Sequence, residues 1–418
     1  MKEYYTRSTN FFGETNPEAL LEIYGSPLYV YNENILRQRC REMVGLVRYR
    51  PFTPDYSCKA NSNRTLLCII REEGLHGDAM SPGEILALLE AGYKPDEIFF
   101  VCNNISAEEM AFAVERGILV SCDSLSQLEQ FGRYFPGERV AVRINPGIGI
   151  GYHDKVITAG KRTKFGVTGD DVTSILPIVE KYGLKLVGLN QHLGSLFMEE
   201  SQFVMGVKAM LDTCRQFKNL EFIDLGGGFG IPYHKQDGQA PLDLIPLSRA
   251  LEQIMTAYSE EMGKAVDFRI EPGRYIVAEC GLLLGTVHTI KENGENTFAG
   301  TDLGFNVLQR VMLYDSHHDI EVYRGGKLLE NEPRQEYTVV GNICESGDKL
   351  AVKRSLPRLR EEDLLGLTDT GAYGYSMASN YNLRLRPAEV LIAADGSHRL
   401  IRKRDSYRDL FRGFEDLD

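Results

Sequence analysis

From about residue 53 to 275 a short apolar run alternates with an amphipathic helical stretch, and the alternation repeats eight times. The strand candidates are PDYSCKAN, LHGDAMS, EIFFVCN, ILVSCDS, RVAVRINP, KLVGLNQHLGS, EFIDLGGGF and DFRIEPGR. Stretches such as NRTLLCIIREEG, SPGEILALLEAGY, SAEEMAFAVERG and SLSQLEQFGRYF lie between them, with apolar residues at i, i+3, i+4 spacing. Several open on a serine or asparagine suited to capping a helix. Strand then helix, eight times over, is the pattern of a (β/α)₈ barrel; a doubly wound parallel sheet is the competing arrangement.

The C-terminal ends of these runs carry polar residues: Lys59, Asp78, Asn103, Asp123, Arg143, His192, the glycines Gly226, Gly227 and Gly228, then Glu271 with Arg274. One polar strand end is an ordinary solvated terminus. A polar residue at every end is the signature of a barrel mouth, where active sites of this architecture are built. Beyond residue 280 the texture changes to alternating runs (LLLGTVHTI, DIEVYRG, EYTVVGN, AEVLIAADG, SHRLIRKR) joined by turns, which predicts an antiparallel β-barrel or sandwich domain. The expected division is a barrel over residues 30–280, with 1–29 and 281–418 forming the β domain and SPLYVYNENI leading into the barrel.

Charge and composition exclude several classes. A formal net charge of −12 argues against nucleic-acid partners. No apolar run approaches the length of a membrane span, and the first residues lack the apolar core of a signal peptide, so a cytoplasmic protein is expected. The eight cysteines form no C-x-x-C and no tight framework, so reduced thiols are expected. The histidines show no metal-ligand spacing, and the adjacent His317 and His318 point different ways on a strand; no metal is expected.

A lysine closing an apolar strand, as Lys59 does, has an amine whose pKa can be lowered for Schiff-base chemistry. The glycines 226–228 let backbone N–H groups approach an anion, although they do not match G-x-G-x-x-G and a tight barrel turn would also use them. Glu271 offers a carboxylate to a protonated ring nitrogen, and His192 a flat face to a ring. Together these describe a site for pyridoxal 5′-phosphate (PLP).

The segments YSCKANSN, HLGS, DLGGGFG, EPGRY, GNICESGD and TDTGAYGYSMASNYN, in that order, resemble the signatures of the diaminopimelate decarboxylase family, a branch of the alanine-racemase-like, fold-type III PLP decarboxylases. The resemblance runs from about residue 25 to 405. It implies a PLP-binding barrel with a C-terminal β domain, acting as a homodimer with shared active sites, and the decarboxylation of meso-2,6-diaminopimelate to L-lysine. Carried over residue by residue, it implies that Lys59 holds PLP covalently and His192 stacks on the ring. Asp78, Ser195, Gly226 to Gly228, Glu271, Gly273, Arg274 and Tyr373 would complete the cofactor site. Arg274, Arg310, Tyr314, Tyr373 and Glu345 would bind the substrate. Cys344, beside Glu345, would come from the partner subunit and return a proton to Cα; a thiol titrates close enough to neutrality for this.

Two arginines, a tyrosine and a glutamate suit a distal carboxylate plus an ammonium, whereas lysine or ornithine needs only an acid at its far end. Leu196 stands where the family usually has glutamine, and the N-D-L-x-R-P of the family reads Asn306-Val307-Leu308-Gln309-Arg310-Val311 here. Both departures bear on specificity, so a sister decarboxylase of carboxynorspermidine, lysine or ornithine is the nearest alternative. A racemase would need a second base, and a non-catalytic PLP homologue would be expected to lose Lys59 or Cys344.

Overall fold

A computed structural model describes residues 4–147, 150–151 and 163–414. The chain forms two compact units, one of Arg37–Ile231 and Pro241–Ile276, the other of Met1–Leu36, Pro232–Ala240 and Val277–Asp418.

The first unit is a closed parallel barrel. Its strands are Phe52–Ser57, His76–Ala79, Ile98–Val101, Leu119–Cys122, Arg139–Asn145, Lys185–Asn190, Phe222–Asp224 and Asp267–Ile270. Each pairs with the next in sequence, and Phe268 opposite Phe52 closes the ring. All eight expected strands are present. The helices start where the caps predict: Asn63, Ser81, Ser106 and Ser124 accept N–H bonds from Thr65, Glu84, Glu109 and Gln127 at 3.0–3.2 Å. Within the barrel Phe99, Val101, Ala141, Val187 and Phe222 form a buried cluster. The Phe99 and Phe222 rings meet edge to face at 5.3 Å. Gly188 makes room for this pair, because a Cβ there would come within 2.1 Å of the Phe222 ring.

The second unit is a curled, mixed sheet. The strands Gly281–Asn293, Ile320–Arg324, Arg334–Val340, Lys349–Pro357, Leu364–Leu367, Ala388–Ile392 and His398–Arg402 pair mostly antiparallel, as expected. Two pairings are parallel: Asn296–Thr301 with Arg334–Val340, and Leu28–Asn32 with Ala388–Ile392. The second of these corrects the sequence reading of SPLYVYNENI. Leu28–Asn32 does not lead into the barrel but lies inside this sheet, antiparallel to Gly281–Asn293 on its other side. Its five residues are all buried, and Tyr29 and Tyr31 donate their hydroxyls to Val307 O and Glu389 Oε1. With all five residues buried, the strand is covered on both faces and shows no alternation, so its pattern looks like that of a barrel strand. The excursion Pro232–Ala240 is tied into this unit by Lys235, whose ammonium reaches Asp369 at 2.7 Å and Glu279 at 3.2 Å. No helix among the described residues is long and apolar enough to cross a membrane.

Candidate active site

Lys59 sits in a single helical turn, Cys58–Ala60, directly after the first barrel strand. The Tyr56 hydroxyl closes that turn by donating to Asn61 O at 2.9 Å, and Asn61 then accepts from Asn63 N–H, which caps the next helix. Ser57 donates to Asp78 Oδ2 at 2.9 Å on the adjacent strand and lies 3.3 Å from Glu271 O. Gly273 packs against the same turn; a Cβ there would lie 3.0 Å from Ser57 Cβ and 3.2 Å from Ala60 Cβ. The lysine turn and the Glu271–Arg274 segment are thus held as one piece.

Across the mouth the glycines meet backbone on every side. Cβ atoms at Gly226, Gly227 and Gly228 would lie 2.2, 2.0 and 2.5 Å from the carbonyl oxygens of Gln191, Glu271 and Gly194. Gly226 and Gly228 also take left-handed φ values of +78° and +103°, so both space and conformation demand glycine. Gly227 N–H lies 3.3 Å from His192 Nδ1, which is 3.4 Å from Glu271 Oε2. Arg274 donates to Ser195 Oγ at 2.9 Å. Leu196, beside Ser195, holds a left-handed φ of +70°, an uncommon conformation for leucine, and Phe197 N–H then reaches Gly228 O.

The electrostatics at the mouth are uneven. Burial and the charge of Glu271 push the Asp78 carboxyl well above the usual range, with Lys59 and the Ser57 hydroxyl pulling the other way. Burial and Glu271 likewise raise Asp224, whose Oδ1 accepts Gly226 N–H at 2.8 Å. Glu271 goes the other way: burial opposes its charge, but His192, Lys59 and the Asp224 carboxyl hold it below the usual carboxylate range. His192 is kept neutral chiefly by burial. Of these three carboxyls, the surroundings of Glu271 favour the ionised form and those of Asp78 and Asp224 favour the protonated one. Asp78 Oδ1, Asp224 Oδ2 and Glu271 Oε1 are buried with no N–H or hydroxyl donor among the described residues. An ionised Glu271 with an orphaned oxygen fits the protonated nitrogen of a pyridine ring, and the glycine-lined backbone beside Ser195 and Arg274 fits a phosphate. The residues present suit PLP. Asp123 and Arg143, also at strand ends, lie 3.8 Å apart as a buried pair to one side.

Asp55 was not singled out in the sequence. It is fully buried in the first strand with no hydrogen-bond donor on either oxygen; Arg269 Nη1 and His76 Nδ1 stand at 3.9 and 4.0 Å. Burial pushes its carboxyl up to about 7, against the pull of Arg269. The folded chain then keeps a proton that the unfolded chain releases near pH 4. The stability linked to this proton is full below that pH and is lost as pH rises through about 7. Asp55→Asn is expected to stabilise the fold more at pH 8 than at pH 5, by up to about 3 kcal/mol in urea unfolding. An equal effect at both pH values would show that Asp55 is ionised throughout.

The remaining predicted residues lie in the second unit. Arg310 and Tyr314 share one face of the short helix Arg310–Tyr314. Arg310 is 1 % exposed; its Nη1 lies 2.9 Å from His318 Nε2 and its guanidinium 4.8 Å from the centroid of the Tyr233 ring. It has no carboxylate partner among the described residues. Val311 follows it on the half-buried part of the same helix. Tyr373 is half-buried at a left-handed φ of +57° within a turn so tight that a Cβ on Gly371 would lie 1.8 Å from Val277 O.

Cys344 and Glu345 are exposed on a loop held from behind by Asp348, whose carboxylate accepts from Ile343 N–H at 2.8 Å and Phe305 N–H at 2.6 Å. Asn382 accepts from Cys344 N–H at 3.0 Å, and Tyr381 donates to Glu345 Oε1 at 2.6 Å. Asp348, Tyr381 and Asn382 lie within the quoted motifs, so the signal for these supports was present in the sequence. One cluster was not foreseen there: ligating atoms of His234, Asp237 and His317 lie within 4.8 Å of one another. The Arg354 guanidinium lies 3.0 Å from His317 Nδ1 and 3.3 Å from its Nε2, setting a fixed positive charge where a cation would bind.

Comparison with known proteins agrees with this chemistry. Residues 34–278 match the pyridoxal-binding domain of the pyridoxal-dependent decarboxylases. The chain is 38 % identical to the diaminopimelate decarboxylase of Methanothermobacter thermautotrophicus, over 96 % of this chain and 94 % of that one. It superimposes on a crystal structure of diaminopimelate decarboxylase with a TM-score of 0.88 at 34 % identity, covering 94 % of each chain. For the Helicobacter pylori diaminopimelate decarboxylase complexed with L-lysine the values are 0.86 and 30 %, over 95 % of this chain and 98 % of that one. With its lysine turn, its Glu271 carboxylate held toward the ionised form and its glycine-lined cradle, the chain belongs to the PLP-dependent decarboxylases, in the family of the diaminopimelate decarboxylases.

Proposed function

We propose that this enzyme decarboxylates meso-2,6-diaminopimelate to L-lysine and CO₂. PLP, when bound, supplies the electron sink for the carbon that loses its carboxylate. In this reading the Lys59 amine holds the cofactor and Glu271, kept ionised, holds the ring nitrogen protonated. His192 lies against the ring face. Backbone N–H groups of Gly226 to Gly228 and Gly273, the Ser195 hydroxyl, Arg274 and Tyr373 would bind the phosphate, and Asp78, which accepts from Ser57, would support the lysine turn. Arg274, Arg310, Tyr314 and Tyr373 take the substrate, with Glu345 receiving its distal ammonium. The Cys344 thiol delivers a proton to Cα.

The observation that carries the substrate assignment is Arg310: a buried guanidinium with no carboxylate partner among the described residues. Leaving such a charge uncompensated is costly, and a ligand carboxylate removes the cost. Lysine and ornithine bring no second carboxylate. The exposure of Cys344 and Glu345 supports a homodimer in which one subunit's loop completes the other's site. A working thiol must also stay reduced, which favours the cytoplasm.

The test is CO₂ release by the PLP-loaded enzyme on meso-diaminopimelate, carboxynorspermidine, L-lysine and L-ornithine. The highest kcat/KM is expected on meso-diaminopimelate. Preference for another of the four would make the protein a sister decarboxylase, and no release from any would make it a non-catalytic PLP protein.

A further inference from the structure

The adjacent histidines part company in the structure. His317 turns to His234, Asp319 and Arg354, whereas His318 is 1 % exposed and turns inward to Arg310. His318 immediately precedes Asp319 and the strand Ile320–Arg324, whose antiparallel neighbour, Leu364–Leu367, ends just before Thr368. Thr368 N–H donates to Asp319 O at 3.0 Å, so the sheet ladder fixes the imidazole relative to the Thr368 carbonyl.

Two contacts bear on the state of this ring. Nδ1 lies 2.7 Å from Thr368 O, and a carbonyl only accepts, so Nδ1 carries the hydrogen. In the neutral ring the lone pair then sits on Nε2, which faces Arg310 Nη1 at 2.9 Å; a guanidinium only donates. The neutral Nδ1–H tautomer satisfies both contacts at once. The His318 ring also stands edge-on to Tyr233 at 5.4 Å and 83°, and Arg310 lies over that same tyrosine. Arg310 is thereby held at one N–H and across its plane, with its other donors left for a ligand.

The kind of partner matters as much as its position. A carboxylate in place of His318 would orient Arg310 equally well but would neutralise it, and a substrate carboxylate would have to compete. A neutral imidazole orients the guanidinium without taking its charge.

We infer that His318 is a positioning residue for substrate selection, aiming Arg310 at the carboxylate on the far end of a diamino diacid. The inference rests on the reading of Arg310 given above. His318→Phe keeps the edge-on packing against Tyr233 but offers Arg310 no acceptor; His318→Gln keeps a carbonyl acceptor of similar reach. Each holoenzyme variant is assayed for KM and kcat on meso-diaminopimelate and for competitive inhibition by 1,5-diaminopentane, which has the two amines of the diacid but neither carboxylate, with thermal melts run alongside. His318→Phe is expected to raise the KM for the diacid roughly tenfold or more while the diaminopentane inhibition constant stays within about twofold. His318→Gln is expected to recover most of the loss. Should the phenylalanine variant not fold, His318→Leu replaces it as the variant without an acceptor.

An equal rise in both constants would reduce His318 to a packing residue and overturn the inference. So would an unchanged KM in a protein where Arg310→Ala still separates the diacid from the diamine, or a glutamine variant no better than phenylalanine. If Arg310→Ala itself fails to separate the two ligands, the reading of Arg310 falls and the role of His318 falls with it.

Discussion

Chains carrying Lys59→Ala and chains carrying Cys344→Ala are each expected to be nearly inactive alone and to recover activity when mixed as dimers. Lys59 is the one lysine on the turn packed against Gly273, and its charge is felt at Asp78, Glu84, His192 and Glu271. Without it the cofactor has no amine to join. Borohydride treatment of the wild-type holoenzyme should fix a phosphopyridoxyl group on the peptide containing Lys59, and on no other. Removing Cys344 would take away the proposed proton donor, a loss of roughly 10²–10⁴-fold for a general acid. Complementation is expected under the proposed homodimer, in which the exposed Cys344 loop reaches the partner's site. If each site takes its lysine from one subunit and its cysteine from the other, a mixed dimer holds one intact site and one doubly broken site. Random pairing of equal amounts makes about half of the dimers mixed, so about a quarter of wild-type activity should return. If mass spectrometry confirms mixed dimers and no activity returns, Cys344 acts within its own chain or not at all.

The barrel was legible because its strands and helices differ in period and because its polar residues gather at one end of the strands. Four of the helix starts came from a single capping residue, which needs no tertiary information. Leu28–Asn32 was misread for the complementary reason. Its residues are buried by strands from Gly281–Asn293 and Ala388–Ile392, more than two hundred residues away, and a local pattern cannot say which sheet will flank it. The parallel pairing of Asn296–Thr301 with Arg334–Val340 was hidden in the same way.

The candidate site divides along similar lines. Lys59, Glu271 and the three glycines announce themselves by residue type in an apolar context. Asp55 and Asp224 were passed over, since a buried acid in a strand resembles a solvated one until its neighbours are known. That the carboxyls of Asp224 and Asp78 are pushed up while that of Glu271 is held down is decided by which charges share a low-dielectric space, and that is a property of the closed barrel. His318 is the clearest case: its spacing from His317 suggested only divergence, and its relation to Arg310 depends on a sheet register.

Arg310 and Glu345 are expected to select opposite ends of a charge pattern, and their variants should separate substrates rather than merely slow the enzyme. Arg310 is buried already; Glu345 is exposed in this chain, held by Tyr381, and would be desolvated once a partner subunit and substrate cover it. Truncating one member of a buried, hydrogen-bonded charge pair typically costs about 2–5 kcal/mol. At about 1.4 kcal/mol per tenfold, that is roughly thirty-fold to several thousand-fold in kcat/KM. Arg310→Ala should impose this loss on meso-diaminopimelate, because its distal carboxylate would be left in the site unpaired. It should cost lysine and ornithine far less, since they bring nothing for Arg310 to hold, and deleting the lone guanidinium even removes an uncompensated charge from their complexes. Glu345→Ala should slow every substrate that ends in an ammonium. Measured as a matrix of two variants against three substrates, the reading predicts one selective row and one uniform row. Equal losses for all three substrates in Arg310→Ala would mean that Arg310 supports the fold or the shared amino-acid end. The diaminopimelate assignment would then fail, while the PLP site around Lys59 and Glu271 would stand untouched.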